Sequence, residues 1–383
     1  MTPISTWKKK LKYSTEKILE GRERFILPIL ILFILKIVGF LWLYFKLPYH
    51  QFYNENPQLI FLRFDSDWYY KAARSWYSEM GCWSWFPAYP ILIRLVGSIL
   101  GKYDVSAVLV AFTLGLAWMP LFQTIAERHI SRQEALGCTL LTSLFPTVFL
   151  FTTVAYSEPL YLFACLASWY LYTRGRYLQA SILSAVVALT RYYGILFVIP
   201  MILDRLAHRD WRNIQYTIIP FFTLSLWLYY SYLRTGSWLT LPPFALLSSL
   251  LHQFTKTGNP LVWIGGTSSS SITGILIGFL TGSEPVAWEP SLTLALVFVA
   301  LVGYFTLKSW DTDWRLGLYS SLNLLTLLAF ASYMPLPRYL VFTFPIWLNM
   351  RTKNPATTFL LGCLFYLSAL LLWQQLLLGY LVA

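Results

Sequence analysis

Charge is the scarcest feature of this 383-residue sequence, since only 12% of its residues are Asp, Glu, Lys or Arg. A soluble globular domain usually carries about 25% charged residues. Half that charge cannot cover a water-facing surface on a chain of this length. Hydrophobic residues make up 57% of the sequence and aromatic residues 18%. This composition argues against an ordinary soluble protein and is typical of a helical membrane protein.

Cysteine and histidine are also sparse, at four residues each. The cysteines include no C-x-x-C pair, so they predict neither a disulfide framework nor a zinc site. The histidines are not spaced with one another as metal ligands would be. We therefore expect no metal and no cofactor, although the carboxylates of Asp65 and Asp67, two residues apart, are a weak signal for a metal. The residues concerned are Cys82, Cys138, Cys165 and Cys363, and His50, His129, His208 and His252.

Long apolar runs are what the sequence has in abundance. The run from Phe25 to Phe45 has Lys36 as its single charge, which a neighbouring helix or snorkelling would absorb. At about 1.5 Å per residue, this run can cross a hydrocarbon core of about 30 Å. Similar runs recur, so the sequence predicts an all-α, polytopic integral membrane protein with one membrane domain over 1–383. Apart from the stretch 177–203, the predicted spans are 25–46, 105–126, 134–152, 159–173, 213–232, 288–307, 316–332, 339–350 and 356–380.

The net charge of +12 is unevenly placed along the chain. Seven of the 29 lysines and arginines fall in the first 24 residues, and most of the others fall in short connections between apolar runs. Cytoplasmic loops of membrane proteins have this bias, whereas single-stranded nucleic acid would need a basic stripe with interleaved aromatics. We expect a cytoplasmic N-terminus, a lipid bilayer as partner and no nucleic acid. Two long segments, 47–104 and 233–287, are then extracytoplasmic loops.

Residues 177–203 are apolar except for Thr190 and Arg191 near their middle. A single straight span would place the three arginines of 204–212 outside, against the positive-inside rule. Two short helices that meet near Arg191 would return the chain to the cytoplasm, and such broken or re-entrant helices are tolerated where they line a cavity. An arginine at mid-membrane costs at least about 2.5 kcal/mol unless it is paired or hydrated. Arg191 therefore requires an ion pair with Glu158 or Asp65, or a phosphate or carboxylate of a substrate.

Asp65 and Asp67 follow the first span at the predicted outer membrane face. An Asp in such an aromatic, interfacial setting can have its pKa raised by desolvation or be held ionised by a nearby arginine. Either state suits proton transfer with a substrate hydroxyl. The alternative interpretation is that Asp65 caps a short helix over 67–77.

Two further charged residues lie at predicted helix ends on the same face. Glu158 precedes Pro159, and a negative charge and a proline both favour the start of a helix. Arg338 lies between prolines at the outer end of a span. It would either bind a lipid-linked phosphate or snorkel to the interface.

Six short elements that include these residues form an ordered set, and in that order they resemble the GPI mannosyltransferase II (PIG-V type) family over about residues 60 to 345. Each element alone is weak, but six in the family's order are fairly specific. The elements are Phe64-Asp65-Ser66-Asp67-Trp68-Tyr69, Trp85-Phe86-Pro87-Ala88-Tyr89-Pro90, Ala155-Tyr156-Ser157-Glu158, Leu189-Thr190-Arg191 with Gly194, Leu233-Arg234-Thr235-Gly236, and Pro337-Arg338-Tyr339.

The resemblance implies a GT-C-like helical bundle with its active site on the extracytoplasmic face. Such enzymes transfer a hexose, mannose in most members, from a polyprenyl or dolichyl phosphate sugar to a glycan or glycolipid acceptor. Transfer proceeds with inversion. The match implies that Asp65 is the general base that activates the acceptor hydroxyl. Arg191 and Arg338 would hold the donor phosphate, and Glu158 would orient the acceptor or Asp65.

Tyr69 and Arg234, which lie in matched elements, are expected to bind substrate. The sequence departs from the family in having Phe64 where the family has Trp, and in having Asp67, which leaves the base open between Asp65 and Asp67. The chain is short for a eukaryotic member. The resemblance therefore implies a prokaryotic plasma-membrane enzyme with a non-GPI acceptor, in preference to an enzyme of the endoplasmic reticulum.

Two other functions remain open from the sequence. A lipid or solute transporter or flippase also places charges within spans and uses broken helices, although it should have matching interrupted spans in its two halves. A non-catalytic subunit of a membrane complex would use the acidic outer loop as a docking surface.

Overall fold

The computed structural model describes residues 3–46, 60–236, 290–330, 336–340 and 342–378. Every regular element in these ranges is a helix, so the all-α prediction is confirmed for them. The α-helices are α1 Pro3–Lys46, α2 Asp65–Ser75, α3 Ala88–Leu100, α4 Tyr103–Ala126, α5 Arg132–Leu144, α6 Pro146–Phe151, α7 Glu158–Tyr172, α8 Tyr177–Ala188, α9 Val198–Ala207, α10 Trp211–Ile214, α11 Ile218–Thr235, α12 Pro290–Thr312, α13 Trp314–Phe330, α14 Leu336–Leu340 and α15 Pro355–Leu377. Short 3-10 segments are Met80–Ser84, Tyr192–Phe197, Gln215–Thr217 and Phe344–Asn349.

Three helical stretches are long and apolar enough to cross a membrane: Phe25–Lys46 within α1, the whole of α4, and the whole of α15. They agree with the predicted spans 25–46, 105–126 and 356–380. Large apolar side chains on α15, such as Phe359 and Leu371, are exposed, which suits a surface that faces lipid. The total number of crossings and the side of the N-terminus stay predictions.

Two predicted spans are not single helices. The span 134–152 is divided into α5 and α6, because Pro146 disfavours the helical conformation of Phe145 before it. Phe145 accordingly has φ −55° and ψ 131°. The span 339–350 is not one helix, since it contains the end of α14 and the 3-10 segment Phe344–Asn349.

The predicted interruption near Arg191 is present. α8 ends shortly before Arg191, whose backbone is extended at φ −149° and ψ 141°, and the chain turns back through a 3-10 segment into α9. Gly194 permits this close approach, since a Cβ there would lie 2.3 Å from the Val187 carbonyl oxygen. The far end of α9 returns to the start of α8, where Arg205 Nη1 donates to the Tyr177 hydroxyl at 2.7 Å.

The segment that precedes α2 is held against the loop that precedes α7. The Ala155 backbone N–H donates to the Phe61 carbonyl oxygen at 3.0 Å. The Tyr156 hydroxyl donates to the Arg63 carbonyl oxygen, also at 3.0 Å. These bonds bring together the starts of two helices that lie about ninety residues apart in the sequence.

Lys36, the lone charge of the first span, is buried in the core. Its Nζ donates to the Thr152 carbonyl oxygen at 2.6 Å, just after α6 ends. Carbonyl groups at a helix end are without intrahelical partners and attract a cation. The expectation that a neighbouring element absorbs Lys36 is confirmed, and the snorkelling alternative is wrong.

Candidate functional site

Four charged side chains from separate parts of the sequence meet in one cluster, which we call the carboxylate–arginine cluster: Asp65, Glu158, Arg191 and Arg338. Arg191 Nη2 lies 2.6 Å from Glu158 Oε1, and Arg338 Nε contacts the same oxygen. Arg338 Nη1 lies 2.9 Å from Asp65 Oδ2. The expected ion pair of Arg191 with Glu158 is confirmed.

The cluster is buried and carries no net charge, since two carboxylates face two guanidinium groups. The exposed fractions of the side chains are 1% for Glu158, 6% for Arg338 and 10% for Arg191, whereas Asp65 is 21% exposed. Charges in such surroundings interact more strongly than they do in water. Asp65 is therefore the member of the cluster that a molecule from outside reaches most easily.

Glu158 holds the two arginines together. Burial alone would raise the pKa of Glu158, but the guanidinium groups of Arg191 and Arg338 outweigh burial and bring the pKa below its ordinary value of 4.5. The carboxylate is therefore ionised at neutral pH. Its Oε1 atom accepts a charge-assisted hydrogen bond from both arginines, which fixes their positions relative to each other.

Three buried atoms of the cluster have no hydrogen-bond partner among the described residues: Glu158 Oε2, Arg191 Nε and Arg338 Nη2. Buried polar atoms in native proteins are almost always paired with protein or ordered water. Three unpartnered atoms in one place indicate a cluster that a further molecule completes. The guanidinium N–H groups are donors well suited to the oxygens of a phosphate or a carboxylate.

The interpretation of Asp65 as a helix cap is wrong. α2 begins at Asp65 itself and ends at Ser75, instead of covering 67–77, and no side chain caps its start. Phe64, just before the helix, has φ 51° and ψ −113°, a region that strains any residue with a Cβ. Backbone strain of this kind is concentrated at functional sites. The Asp65 carboxylate is directed at Arg338 instead of at its own helix.

The structure distinguishes Asp65 from Asp67, which the sequence left as equal candidates for the general base. Asp67 lies two residues after Asp65, which is about 200° around a helix of 3.6 residues per turn. Its side chain is exposed and makes no ion pair with any residue in the described ranges. Asp65 contacts the cluster and Asp67 does not.

Aromatic rings enclose both arginines. The guanidinium carbon of Arg338 lies 4.6 Å from the ring centre of Phe151 and 4.5 Å from that of Tyr156. Arg191 lies 4.9 Å from the ring centre of Tyr339. The snorkelling alternative for Arg338 is therefore wrong. Sequence reasoning assigned these three rings no role, although two of them adjoin or nearly adjoin a predicted site residue in the same short element.

The two residues expected to bind substrate are placed differently. Tyr69 is buried, and its hydroxyl shares a hydrogen bond of 2.7 Å with Ser157 Oγ. Ser157 Oγ also accepts a hydrogen bond from Arg191 Nη2 at 3.4 Å. Tyr69 is therefore linked to Arg191 through Ser157. Arg234 is exposed near the end of α11, and no contact between described residues joins it to the cluster.

Several other predictions concern metals and loops. Within the described ranges, no group of three or more His, Cys, Asp or Glu is arranged to hold a metal ion. The four cysteines are free, and only Cys363 among them is exposed. His50, His252 and the part 237–289 of the second predicted loop lie outside the described residues.

A second charged cluster, at the other end of α7, was not predicted. We call it the tyrosine–arginine cluster: Tyr172, Asp204, Arg205, Asp210 and Arg315. The Asp204 carboxylate accepts a hydrogen bond from the Tyr172 hydroxyl. It accepts another from Arg205 Nη2 at 2.5 Å, and it lies 3.4 Å from Arg315 Nη1. Arg205 Nη1 also pairs with Asp210 at 3.0 Å. Sequence reasoning treated these arginines only as loop charges that set the topology.

Comparison of the chain with models of known protein families finds no match, and comparison with curated protein sequences finds none either. The resemblance to the GPI mannosyltransferase II family therefore rests on the six short elements alone.

Proposed function

We propose that this protein is a membrane glycosyltransferase that moves a hexose from a polyprenyl or dolichyl phosphate sugar to a hydroxyl of a glycan or glycolipid acceptor. The observation that carries the proposal is the carboxylate–arginine cluster. It sets the partly exposed carboxylate of Asp65 beside two buried arginines that have unpartnered N–H groups.

The reaction needs a base at the acceptor and positive charge at the leaving group. The Asp65 carboxylate takes the proton from the acceptor hydroxyl, whose oxygen forms a bond to the anomeric carbon of the donor. The bond from that carbon to the phosphate oxygen breaks on the opposite face, and its electron pair stays on the phosphate. The sugar is transferred with inversion, Asp65 holds the proton, and polyprenyl phosphate leaves.

The two arginines suit the leaving group better than the donor. The donor is a phosphodiester with one negative charge, and the departing polyprenyl phosphate gains a second negative charge as the bond breaks. The unpartnered Arg191 Nε and Arg338 Nη2 groups would bind the more highly charged species more strongly. Interactions that strengthen towards the transition state accelerate the reaction.

Glu158 acts as a positioning residue in this scheme. Both guanidinium groups donate to its Oε1 atom, so the arginines cannot separate without breaking a buried ion pair. Its Oε2 atom has no partner among the described residues and can accept a hydrogen bond from a sugar hydroxyl. This role agrees with the expectation that Glu158 orients the acceptor.

A lipid-linked donor requires a site near the membrane boundary. Arg63, two residues before Asp65, donates from Nη2 to the Leu377 carbonyl oxygen at 3.1 Å, at the C-terminal end of the candidate span α15. This contact supports a cluster at the end of a span instead of at mid-membrane. With a cytoplasmic N-terminus, this end would be extracytoplasmic, and the protein would be multi-pass.

The test is a transfer assay with purified protein and radiolabelled polyprenyl phosphate mannose. Because general base catalysis contributes about 100-fold or more, Asp65→Asn should lose transfer by at least that factor. Asp67→Asn is the matched control and should keep wild-type activity. Wild-type transfer by Asp65→Asn would refute the assigned base.

The same preparation separates the rival functions. In sealed vesicles, movement of the lipid-linked sugar between leaflets without transfer would favour a flippase. Activity that appears only with another protein and does not depend on Asp65 would favour a non-catalytic subunit.

A further inference from the structure

An apolar groove of about 810 Å³ lies between α1, α5 and α15 and shares no residue with the carboxylate–arginine cluster. Its volume falls in the range of about 300 to 1,000 Å³ that is typical of small-molecule sites. Ile31, Leu35, Leu140, Leu144 and Phe359 supply its apolar walls. We call it the α1/α15 groove.

One end of the α1/α15 groove is polar and positively charged. Glu134 and Lys353 line it, and the charges of Arg351 and Lys353 both act on the Glu134 carboxylate. Glu134 is already engaged, since it accepts hydrogen bonds from the Ser131 hydroxyl at 2.7 Å and the Ser131 backbone N–H at 3.2 Å. Lys353 is exposed and makes no ion pair with any residue whose side chain the structure describes. Among those residues, the rim therefore presents Lys353 as a cation that an anion can reach.

The depth of the groove matches one leaflet of a bilayer. Its lining on α15 runs from Pro355 to Tyr366, which is about 17 Å at 1.5 Å per residue. Half of a hydrocarbon core is about 15 Å. Tyr366 lines the deep end, where its hydroxyl donates to the Leu35 carbonyl oxygen at 2.9 Å.

The groove also opens where lipid would be. Two of its three walls, α1 and α15, contain candidate membrane spans, and Phe359 at its edge is 70% exposed. The lining of the groove is apolar, so filling it with water would be unfavourable. A hydrocarbon chain of about one leaflet's length would fill it.

We propose that the α1/α15 groove binds one glycerophospholipid, with an acyl chain along α15 and the phosphate at Lys353. Anionic lipid phosphate is attracted by lysine at headgroup depth. A second copy of the chain is a poorer occupant, because a two-fold contact through this groove would bring two positively charged rims together. The proposal is independent of the glycosyltransferase proposal, since the groove and the cluster have no residue in common.

The first test counts bound lipid on the full-length protein, delipidated in detergent, by native mass spectrometry. The protein should retain one dioleoyl phosphatidylglycerol per chain. It should not retain dioleoylglycerol, which has the same chains without the phosphate. Equal retention of both lipids would overturn the role of the phosphate and of Lys353.

Variants then test the position of the lipid. Leu140→Trp fills the groove and Lys353→Glu reverses the rim charge, and each should weaken retention by about tenfold, the loss of one charge-assisted or well-packed contact. Leu367→Trp, an exposed α15 residue outside the groove, and Lys308→Glu are the matched controls and should bind normally. If Leu140→Trp and Leu367→Trp bind equally well, the lipid is not in the groove.

A second measurement needs no mutation. Cys363 lines the groove and is the exposed cysteine, whereas Cys82, Cys138 and Cys165 are buried. Dioleoyl phosphatidylglycerol should slow the alkylation of Cys363 by N-ethylmaleimide, and dioleoylglycerol should not. An unchanged alkylation rate, or an efficient Cys363–Cys363 cross-link between two chains, would refute the lipid occupant.

Discussion

The two charged clusters at the ends of α7 both pair two carboxylates with two arginines but differ in how completely their atoms are paired. The carboxylate–arginine cluster is buried and contains three atoms without partners among the described residues. The tyrosine–arginine cluster is partly exposed, and none of its buried side-chain nitrogen or oxygen atoms lacks a partner in the described ranges. A buried polar atom without a hydrogen-bond partner is costly, so incomplete hydrogen bonding, more than charge itself, distinguishes the proposed site.

The largest contrast should come from removing one carboxylate from each cluster. Glu158→Ala leaves two buried guanidinium groups without their shared partner, and breaking a buried ion pair costs about 3–5 kcal/mol. Asp210→Ala, at a 25% exposed position, should leave stability near the wild-type value because water replaces the carboxylate. SDS-induced unfolding of the detergent-solubilised protein measures both, and equal losses would remove the distinction between the clusters.

A subtler change keeps the charge and removes the guanidinium geometry. Arg191→Lys loses the unpartnered Nε–H, so kcat/KM for the donor should fall about tenfold, the contribution of one charge-assisted hydrogen bond to the leaving phosphate. The acceptor KM should not change. Arg205→Lys in the tyrosine–arginine cluster should alter neither constant. Equal effects of Arg191→Lys on donor and acceptor would assign Arg191 a structural role.

A buried tyrosine hydroxyl that can be deleted lies next to the carboxylate–arginine cluster (Tyr69), and another belongs to the tyrosine–arginine cluster (Tyr172). Tyr172→Phe removes a hydrogen bond to an ionised carboxylate and should cost about 1.5–3 kcal/mol of stability without slowing transfer. Tyr69→Phe removes a bond to Ser157 and should cost about 1 kcal/mol while reducing transfer, because Ser157 contacts Arg191. Unfolding and transfer assays on both variants give the comparison, and a reversed pattern would contradict the assignment of the site.

The smallest effect should be confined to acid. The pKa of Glu158 lies below 4.5 in the folded protein because the two arginines outweigh burial. The unfolded chain therefore binds this proton at higher pH, so the stabilisation is complete above pH 4.5 and is lost as the pH falls through the folded value. Glu158→Gln should flatten this part of a thermal-midpoint profile against pH. An unchanged profile would show that Glu158 does not titrate in this way.

Much of the helical organisation followed from local patterns. Apolar length alone predicted α4, α15 and the apolar part of α1, because crossing a hydrocarbon core requires about twenty apolar residues in one run. Charge bias predicted the interruption at Arg191, since a straight span would have carried three arginines to the wrong side. The break between α5 and α6 at Phe145 was not predicted. Pro146 signals such a break, but the surrounding run is largely apolar and predicted one span.

The site was predicted in part. Asp65, Glu158, Arg191 and Arg338 were each singled out as charges in apolar surroundings, where an unpaired charge is expensive. The ion pairs of Arg338 with Asp65 and Glu158 were not predictable, because Arg338 lies 273 residues from Asp65 and no local rule links the two. Tyr69 and Arg234 show the limit of reasoning from short elements, since one lies behind the cluster and the other is exposed away from it.

By itself, the sequence determined that this chain is helical, apolar enough for a membrane and interrupted at Arg191, because length, hydropathy and charge bias act locally along the chain. Tertiary structure alone decided which carboxylate faces the arginines. Asp65 and Asp67 have the same chemistry and nearly the same neighbours in sequence. Only the start of α2 at Asp65 and the ion pair of Asp65 with Arg338 of α14 place one carboxylate in the cluster, while the other is exposed.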